Sequence, residues 1–284
     1  MSASPLAALR APPWRLLRSG PGDGLTNMAT DLALLDHARR TGEATLRLYA
    51  WERPTLSLGR HERGRGVFDV RALRESGIDL VRRPTGGRAL LHDHEVTYAV
   101  TAPATAGSLG ETYRAVNALL RAALQRLGVT VDEAARAPRT DALGSTPLRP
   151  DGAPCFAEPS AGELVVDGAK LVGSAQWRDD GAWLQHGSIL LAADQPRIAR
   201  LRRTADAPGA GPRVVPLAPA STAAATLRTV LNRDVDPLEV EQAVVAAFEE
   251  GLGPLSTLPA TALSSGALGR HLEALSDPTW VWRR

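Results

Sequence analysis

A chain of 284 residues, 44 % hydrophobic and 23 % charged, is long enough to bury a sizeable core in one large domain, or in one domain with a small appendage. A net charge of +2 with no aromatic–basic interleaving gives no argument for a nucleic-acid partner, and no apolar run approaches the roughly eighteen residues of a membrane span. The single cysteine excludes an intramolecular disulfide and a cysteine-rich metal site, and makes a reducing compartment the default.

Residues 1–13, with Pro5, Pro12 and Pro13 breaking any amphipathic helix, read as a disordered lead-in. A helix is predicted over Thr26–Arg39, with Met28, Leu32 and Leu35 as its buried stripe and Asp31 and Asp36 towards the edges. Strands follow at Ala44–Trp51, with Leu46, Leu48 and Ala50 on one side, and at Thr55–Gly59. Gly59–Gly66 is a polar, glycine-punctuated loop. Ile78–Arg83 and Glu95–Ala102 read as strands flanking Gly86-Gly87. Ser108 and Glu111 have capping-box spacing and open a helix that runs through Leu127 and closes at Gly128. Residues 134–154 form a long loop. Three antiparallel strands over Glu163–Leu191 are joined by tight turns at Asp167-Gly168 and Asp180-Gly181. Residues 204–221 are a Pro/Ala/Gly linker. Helices near Thr222–Leu231 and Leu238–Gly251 follow, the second with Asp236 as N-cap and Pro237 at its first position. The tail from Leu252 is weakly patterned. The order implies an α+β fold, a mixed and largely antiparallel sheet flanked by helices with a small helical C-terminal segment.

Three features carry candidate chemistry. Lys170 is the one lysine among 33 basic residues. It is either a chance survivor or the group for a role that a guanidinium cannot fill, such as the approach of a compact ammonium to a small oxyanion. The Asp167-Gly168 turn places it near the rim of the sheet, where it could swing over a cleft. Gly86-Gly87 lets backbone N–H groups approach an anionic or carbonyl-bearing ligand, with Arg82 and Arg83 adding charge beside it; a plain hairpin is the competing reading. Cys155 is either a small buried hydrophobe or a reactive thiol whose thiolate a cation such as Lys170 would favour. His92 and His94 would share one face of a strand, but no convergent cluster accompanies them, so no metal site is expected. His186 is read as positioning a strand end or lining a cleft.

Four segments together resemble the biotin/lipoate protein ligase family, which includes lipoate–protein ligases and octanoyltransferases. They are GDGLTNMATDLALL (Gly22–Leu35), TLSLGRHE (Thr55–Glu62), RRPTGGRALLHDHEVTYAV (Arg82–Val100) and the run from Cys155 to Leu191. ATP-using ligases more often carry a further glycine where this chain has Arg88. The RRPTGGRALLHD form is therefore similar to the cysteine-dependent octanoyltransferases that work from acyl carrier protein.

The resemblance implies that Cys155 is the acyl-accepting nucleophile and Lys170 the lysine of the acyl-binding site. It implies that Arg82, Thr85, Gly86, Gly87 and His92, with Arg83 beside them, form a binding loop, and that Gly173, Ser174, Ala175 and His186 line the acyl pocket. Residues 14–215 would be the catalytic region and 216–284 a helical segment packed on it. The donor would be octanoyl-acyl carrier protein. The acceptor would be the lipoyl domain of a 2-oxoacid dehydrogenase acyltransferase subunit or the glycine cleavage H protein, in the cytoplasm and without a cofactor. Arg60, Arg63 and Arg65 are candidates for a rim that docks an acidic carrier. Two alternatives stay open: an ATP-dependent lipoate–protein ligase using Mg-ATP, and a non-catalytic lipoyl- or acyl-binding module.

Overall fold

The computed structural model describes residues 6–10, 12–104, 107–135, 155–156, 159–192, 195–202 and 224–283. Its centre is an eight-stranded sheet. The strands in chain order are β1 (Trp14–Gly22) and β2 (Ala44–Trp51), then β3 (Thr55–Leu58), β4 (Asp79–Arg82) and β5 (Leu90–His92) of a smaller sheet, then β6 (Glu95–Pro103), β7 (Asp132–Glu133), β8 (Leu164–Val166), β9 (Ala169–Asp179), β10 (Ala182–Leu190) and β11 (Ser256–Thr257). The large sheet runs β11-β1-β2-β6-β10-β9-β8-β7. Only the pairs β1–β2 and β1–β11 are parallel; the remaining pairs of this sheet are antiparallel. In the small sheet β3 lies between parallel β4 and antiparallel β5. The predicted mixed, largely antiparallel architecture is the one observed.

The helices are α1 (Gly24–Thr41), α2 (Val70–Glu75), α3 (Leu109–Arg126), α4 (Leu227–Leu231), α5 (Pro237–Leu252), α6 (Ser265–Ser276) and α7 (Pro278–Val281). Both faces of the large sheet are covered at its centre, so β2, β6 and β10 are buried along nearly their whole length rather than alternating between core and solvent. Leu46, Leu48, Val96, Tyr98 and Val100 face α3 and α5. Tyr49, Ala99 and Leu184 face Met28 and Leu35 of α1. On α5 the spacing Val240, Ala243, Val244, Ala247, Phe248 supplies the apolar stripe, and Phe248 meets Trp14 edge-to-face at 6.0 Å.

Both tight turns of the β8–β9–β10 meander take the left-handed backbone that Asp-Gly favours: Asp167 and Gly168 at φ 50° and 77°, Asp180 and Gly181 at 38° and 77°. The capping box at Ser108 and the Asp236–Pro237 start of α5 form as read.

Several expectations need correction. α1 lies between the sheet and α6, so its buried surface is wider than one stripe; Asp31 is fully buried, while Leu32 is only half-buried. β2 is buried on both faces. Gly86-Gly87 is not a hairpin turn, because β4 and β6 belong to different sheets. The helix before α5 starts at Leu227, behind Thr226 as N-cap. The weakly patterned tail contains β11, α6 and α7, whose signals are short or polar. Within the expected lead-in, Leu9 is buried and its carbonyl accepts from the Trp14 indole at 2.9 Å. Most of the long loop (136–154) and all of the linker (204–221) lie outside the described residues.

Candidate active site

Where the β9–β10 hairpin meets the segment after β4, a cavity of about 340 Å³ opens. The hairpin supplies Lys170, Gly173, Ser174, Ala175, Gln176, His186, Gly187 and Ser188; the loop supplies Arg83, Gly86, Gly87, Arg88 and Leu90. Cys155, Ser160 and Glu163 close one side, and Met28, Tyr49 and Tyr113 add hydrocarbon and ring surface.

Cys155 and Lys170 converge. Lys170 Nζ lies 3.2 Å from Cys155 Sγ and 3.2 Å from the Cys155 carbonyl oxygen, and it donates to Glu163 Oε1 at 2.7 Å. Cys155 is half-buried and held in place by its own N–H, which donates to Ala89 O at 2.8 Å. Burial acts to strip the Lys170 proton, but Cys155 and Glu163 outweigh it and hold the ammonium above its ordinary pKa. Lys170 therefore does not swing at a rim. It is 1 % exposed and pinned.

Close backbone packing shapes the cavity. A Cβ on Gly59 would fall 1.9 Å from the Gly87 carbonyl oxygen, and one on Gly187 would fall 2.2 Å from Gly173 O. A side chain on Gly173 would strike the Phe156 ring at 2.8 Å and crowd Lys170 Cε. Gly87 itself sits at φ 96°.

Arg83 shapes the glycine loop from inside. Its guanidinium donates to Ser57 O, Ser57 Oγ, Gly86 O and Arg88 O at 2.6–3.2 Å. Burial pulls its pKa down, opposed by Cys155 and Glu62. The relay continues: Ser57 Oγ is hydrogen-bonded to His92 Nε2 at 2.7 Å, and His92 Nδ1 to Glu95 Oε1 at 2.8 Å. Trp51 stacks on the imidazole at 3.9 Å. Burial would raise the Glu95 pKa, yet His92 and the hydroxyls of Ser188 and Thr97 keep it below the ordinary value.

A second relay supports the cavity wall. Thr85 Oγ1 donates to His186 Nε2 at 2.7 Å, and His186 Nδ1 donates to Asp31 Oδ2 at 2.9 Å. Arg47 pairs with Asp31 at 2.7 Å, and the Tyr49 hydroxyl donates to the same carboxylate. Burial lowers the His186 pKa despite Asp31, which fits a neutral ring. For Asp31, burial alone would raise the pKa; Arg47 and His186 hold it below the carboxylate range.

Of the residues expected at the site, Cys155, Lys170, Arg83, Gly86, Gly87, His92, Gly173, Ser174, Ala175 and His186 line the cavity. Thr85 reaches it only through His186. Arg82 does not belong to the binding surface. Its side chain turns away to Gly59 O, Glu62 O, Val281 O and Arg283 O, and burial lowers its pKa to about 10. His94 is not on the face of His92: β5 ends at His92, and the His94 side chain is 61 % exposed in the turn. Among the described residues no group of three or more His, Cys, Asp or Glu could hold a metal. Arg60 lies over the rings of Trp177 and Trp280, whereas Arg63 and Arg65 are exposed.

The reading of the sequence assigned nothing to Glu163, Ser57 or Glu95 and misplaced Asp31. For Glu163 a signal exists: the Asp167-Gly168 turn sets Val165 opposite Lys170, and a carboxylate two residues further from the turn is within diagonal reach of an ammonium.

The lipoyl protein ligase A/B catalytic domain family model matches residues 23–249. Octanoyltransferase LipM of Kyrpidia tusciae is 42 % identical over 258 residues, 84 % of this chain and 87 % of that protein. Octanoyltransferase LipM of Moorella thermoacetica is 38 % identical over 281 residues, 95 % and 98 % of the two chains. Among solved structures, lipoate-protein ligase A bound with ATP superposes with a TM-score of 0.72 at 21 % identity, covering 95 % of this chain and 98 % of that one. The bipartite lipoate protein ligase of Thermoplasma acidophilum gives 0.71 at 19 % identity, covering 95 % and 96 %. These two likenesses concern the fold alone. With the matched domain spanning most of its length, the chain belongs to the lipoyl protein ligase A/B catalytic domain family.

Proposed function

We propose that this enzyme is an octanoyltransferase that carries the acyl group on Cys155, taking it from acyl carrier protein and delivering it to a lysine of a lipoyl domain. The observation that carries the reading is the 3.2 Å approach of the sole lysine to the sole cysteine at the wall of a partly apolar cavity. The relatives named octanoyltransferase support it.

In the first half-reaction the Cys155 thiolate attacks the carbonyl carbon of the donor thioester. A new C–S bond forms, the donor sulfur leaves as a thiolate, and that thiolate takes a proton from solvent. One thioester replaces another, so no nucleotide is needed. Lys170, together with backbone N–H groups near Gly86-Gly87, faces the oxygen on which negative charge develops. In the second, the neutral amine of the acceptor lysine attacks the acyl-enzyme. A C–N bond forms, the C–S bond breaks, Cys155 departs as a thiolate paired with Lys170, and the proton shed by nitrogen passes to solvent. Such a route is ping-pong.

The acceptor is the lipoyl domain of a 2-oxoacid dehydrogenase acyltransferase subunit or the glycine cleavage H protein. Arg63 and Arg65, both exposed, suit an acidic carrier. The reaction belongs to the cytoplasm; among the described residues no helix is long and apolar enough to cross a membrane.

The test is octanoyl transfer from carrier protein to a lipoyl domain without ATP. The wild type is expected to transfer and Cys155→Ser to lose activity. Undiminished transfer by Cys155→Ser would reject the mechanism. Modification only with lipoate and ATP would replace it with ligase chemistry.

A further inference from the structure

In the attacking form of the enzyme that the mechanism above requires, with Cys155 as thiolate, Lys170 has two anionic neighbours, Cys155 at 3.2 Å and Glu163 at 2.7 Å. Once Cys155 is acylated its sulfur is neutral, and Glu163 alone remains as a counter-charge. The remaining partners of Nζ are neutral: it donates to the Cys155 carbonyl at 3.2 Å and lies over the Phe156 ring at 4.8 Å, while Arg83 is a second buried cation near Cys155. Burial is the largest influence acting on this ammonium, and it favours the neutral amine.

Glu163 is built for this position. It is buried, its Oε1 accepts from Lys170 at 2.7 Å, and its Oε2 accepts from the Ser160 N–H at 2.6 Å. Its own N–H donates to Ser160 O, its carbonyl accepts from the Ala134 N–H, and Asn117 donates to the neighbouring Gly162 carbonyl at 2.8 Å. The carboxylate is thus fixed from its own turn and from α3.

We propose that Glu163 is the positioning residue of the second half-reaction, holding Lys170 as an aimed ammonium after Cys155 has been acylated, so that the tetrahedral oxyanion formed by the incoming amine still meets a cation. This rests on the acyl-cysteine reading above. Glu163 touches neither acyl group nor amine in that step; it acts through Lys170. In the transfer the C–N bond forms, the C–S bond breaks, the proton shed by nitrogen passes to solvent, and Cys155 departs as a thiolate that becomes the second anion beside Lys170. Acylation runs from the thiolate form, whose sulfur supplies a second counter-charge, so it depends less on Glu163 than the transfer step does.

The experiment separates the half-reactions in wild type and Glu163→Gln, following octanoyl-enzyme formation and its single-turnover transfer to a lipoyl domain by intact mass. Glu163→Gln is expected to slow transfer to the lipoyl domain on the order of a hundredfold more than it slows octanoyl-enzyme formation, so that octanoyl-enzyme accumulates. Equal slowing of both steps, or transfer as fast as wild type, overturns the proposal. Faster transfer would mean that Lys170 must be neutral there, and also overturns it.

A second readout needs no variant. Because the chain has one lysine, ε-¹³C-lysine labelling gives one resonance for the whole protein. In wild type this signal is expected to keep its ammonium shift on octanoylation at pH 8, and a move to the amine shift overturns the proposal even if Glu163→Gln does not fold. A wild type that forms no octanoyl-enzyme removes the transferase reading and this inference with it. A wild type that forms one without the half-reaction split removes only the role of Glu163.

Discussion

Replacing Asp31 by Asn removes the anion on which three buried side chains, Arg47, Tyr49 and His186, rely. Arg47 is 1 % exposed and donates to Asp31 at 2.7 Å, to Asn27 O at 2.9 Å, to Asn27 Oδ1 at 2.8 Å and to Ser19 Oγ at 2.8 Å. In Asp31→Asn those other acceptors remain, but the guanidinium has no counter-charge. Breaking a buried pair from one side costs about 3–5 kcal/mol, a large share of the roughly 5–15 kcal/mol that holds a domain folded. Urea denaturation at pH 7 should therefore show a loss in that range, and Asp31→Asn with Arg47→Met should be less destabilised than the sum of the single changes.

The pH dependence has a defined sign. The folded-state pKa of Asp31 is lowered, so its stabilisation is complete above the ordinary 3.8 and is lost as pH falls through the lower folded value. The gap between wild type and Asp31→Asn should close in that acid window. A destabilisation within about 0.5 kcal/mol at pH 7, the level of an ordinary surface change, would refute the reasoning.

Other expectations follow from packing. Lys170→Arg forces a larger, forked cation into the space among Cys155, Glu163 and Gly173; transfer should fall on the order of a hundredfold, and a rate within about tenfold of wild type would count against the role of a compact ammonium. Gly59→Ala places a methyl 1.9 Å from a backbone oxygen of the glycine loop, so octanoylation should be lost, and unchanged rates would show that the loop yields freely. Arg82→Met frees the carbonyls of Val281 and Arg283, and limited proteolysis should then remove residues 278–283 faster than in wild type with the central sheet intact; equal rates would contradict the clamp.

Legibility in the sequence followed the range of the interactions. Local devices were readable: two Asp-Gly turns set the registers of β8, β9 and β10, and the capping box at Ser108 fixed the start of α3. Because Cys155 and Lys170 lie on separate segments, the residues leave their approach as one of two open readings, and the family resemblance favours it. Asp31 looked like an edge residue because helical period alone does not reveal that α6 covers the far side of α1 or that Arg47 arrives from β2. Arg82 and Arg83 are adjacent and chemically identical, yet one braces the C-terminal residues and the other lines the cavity. Strand alternation sends them opposite ways, and no composition argument says which side holds the ligand.

The most direct measurement of the central claim is the intact mass of the purified protein after mixing with octanoyl-carrier protein in the absence of ATP. The account predicts a gain of one octanoyl group in wild type and no gain in Cys155→Ala. An unmodified wild type, or an adduct that persists in Cys155→Ala, would contradict it.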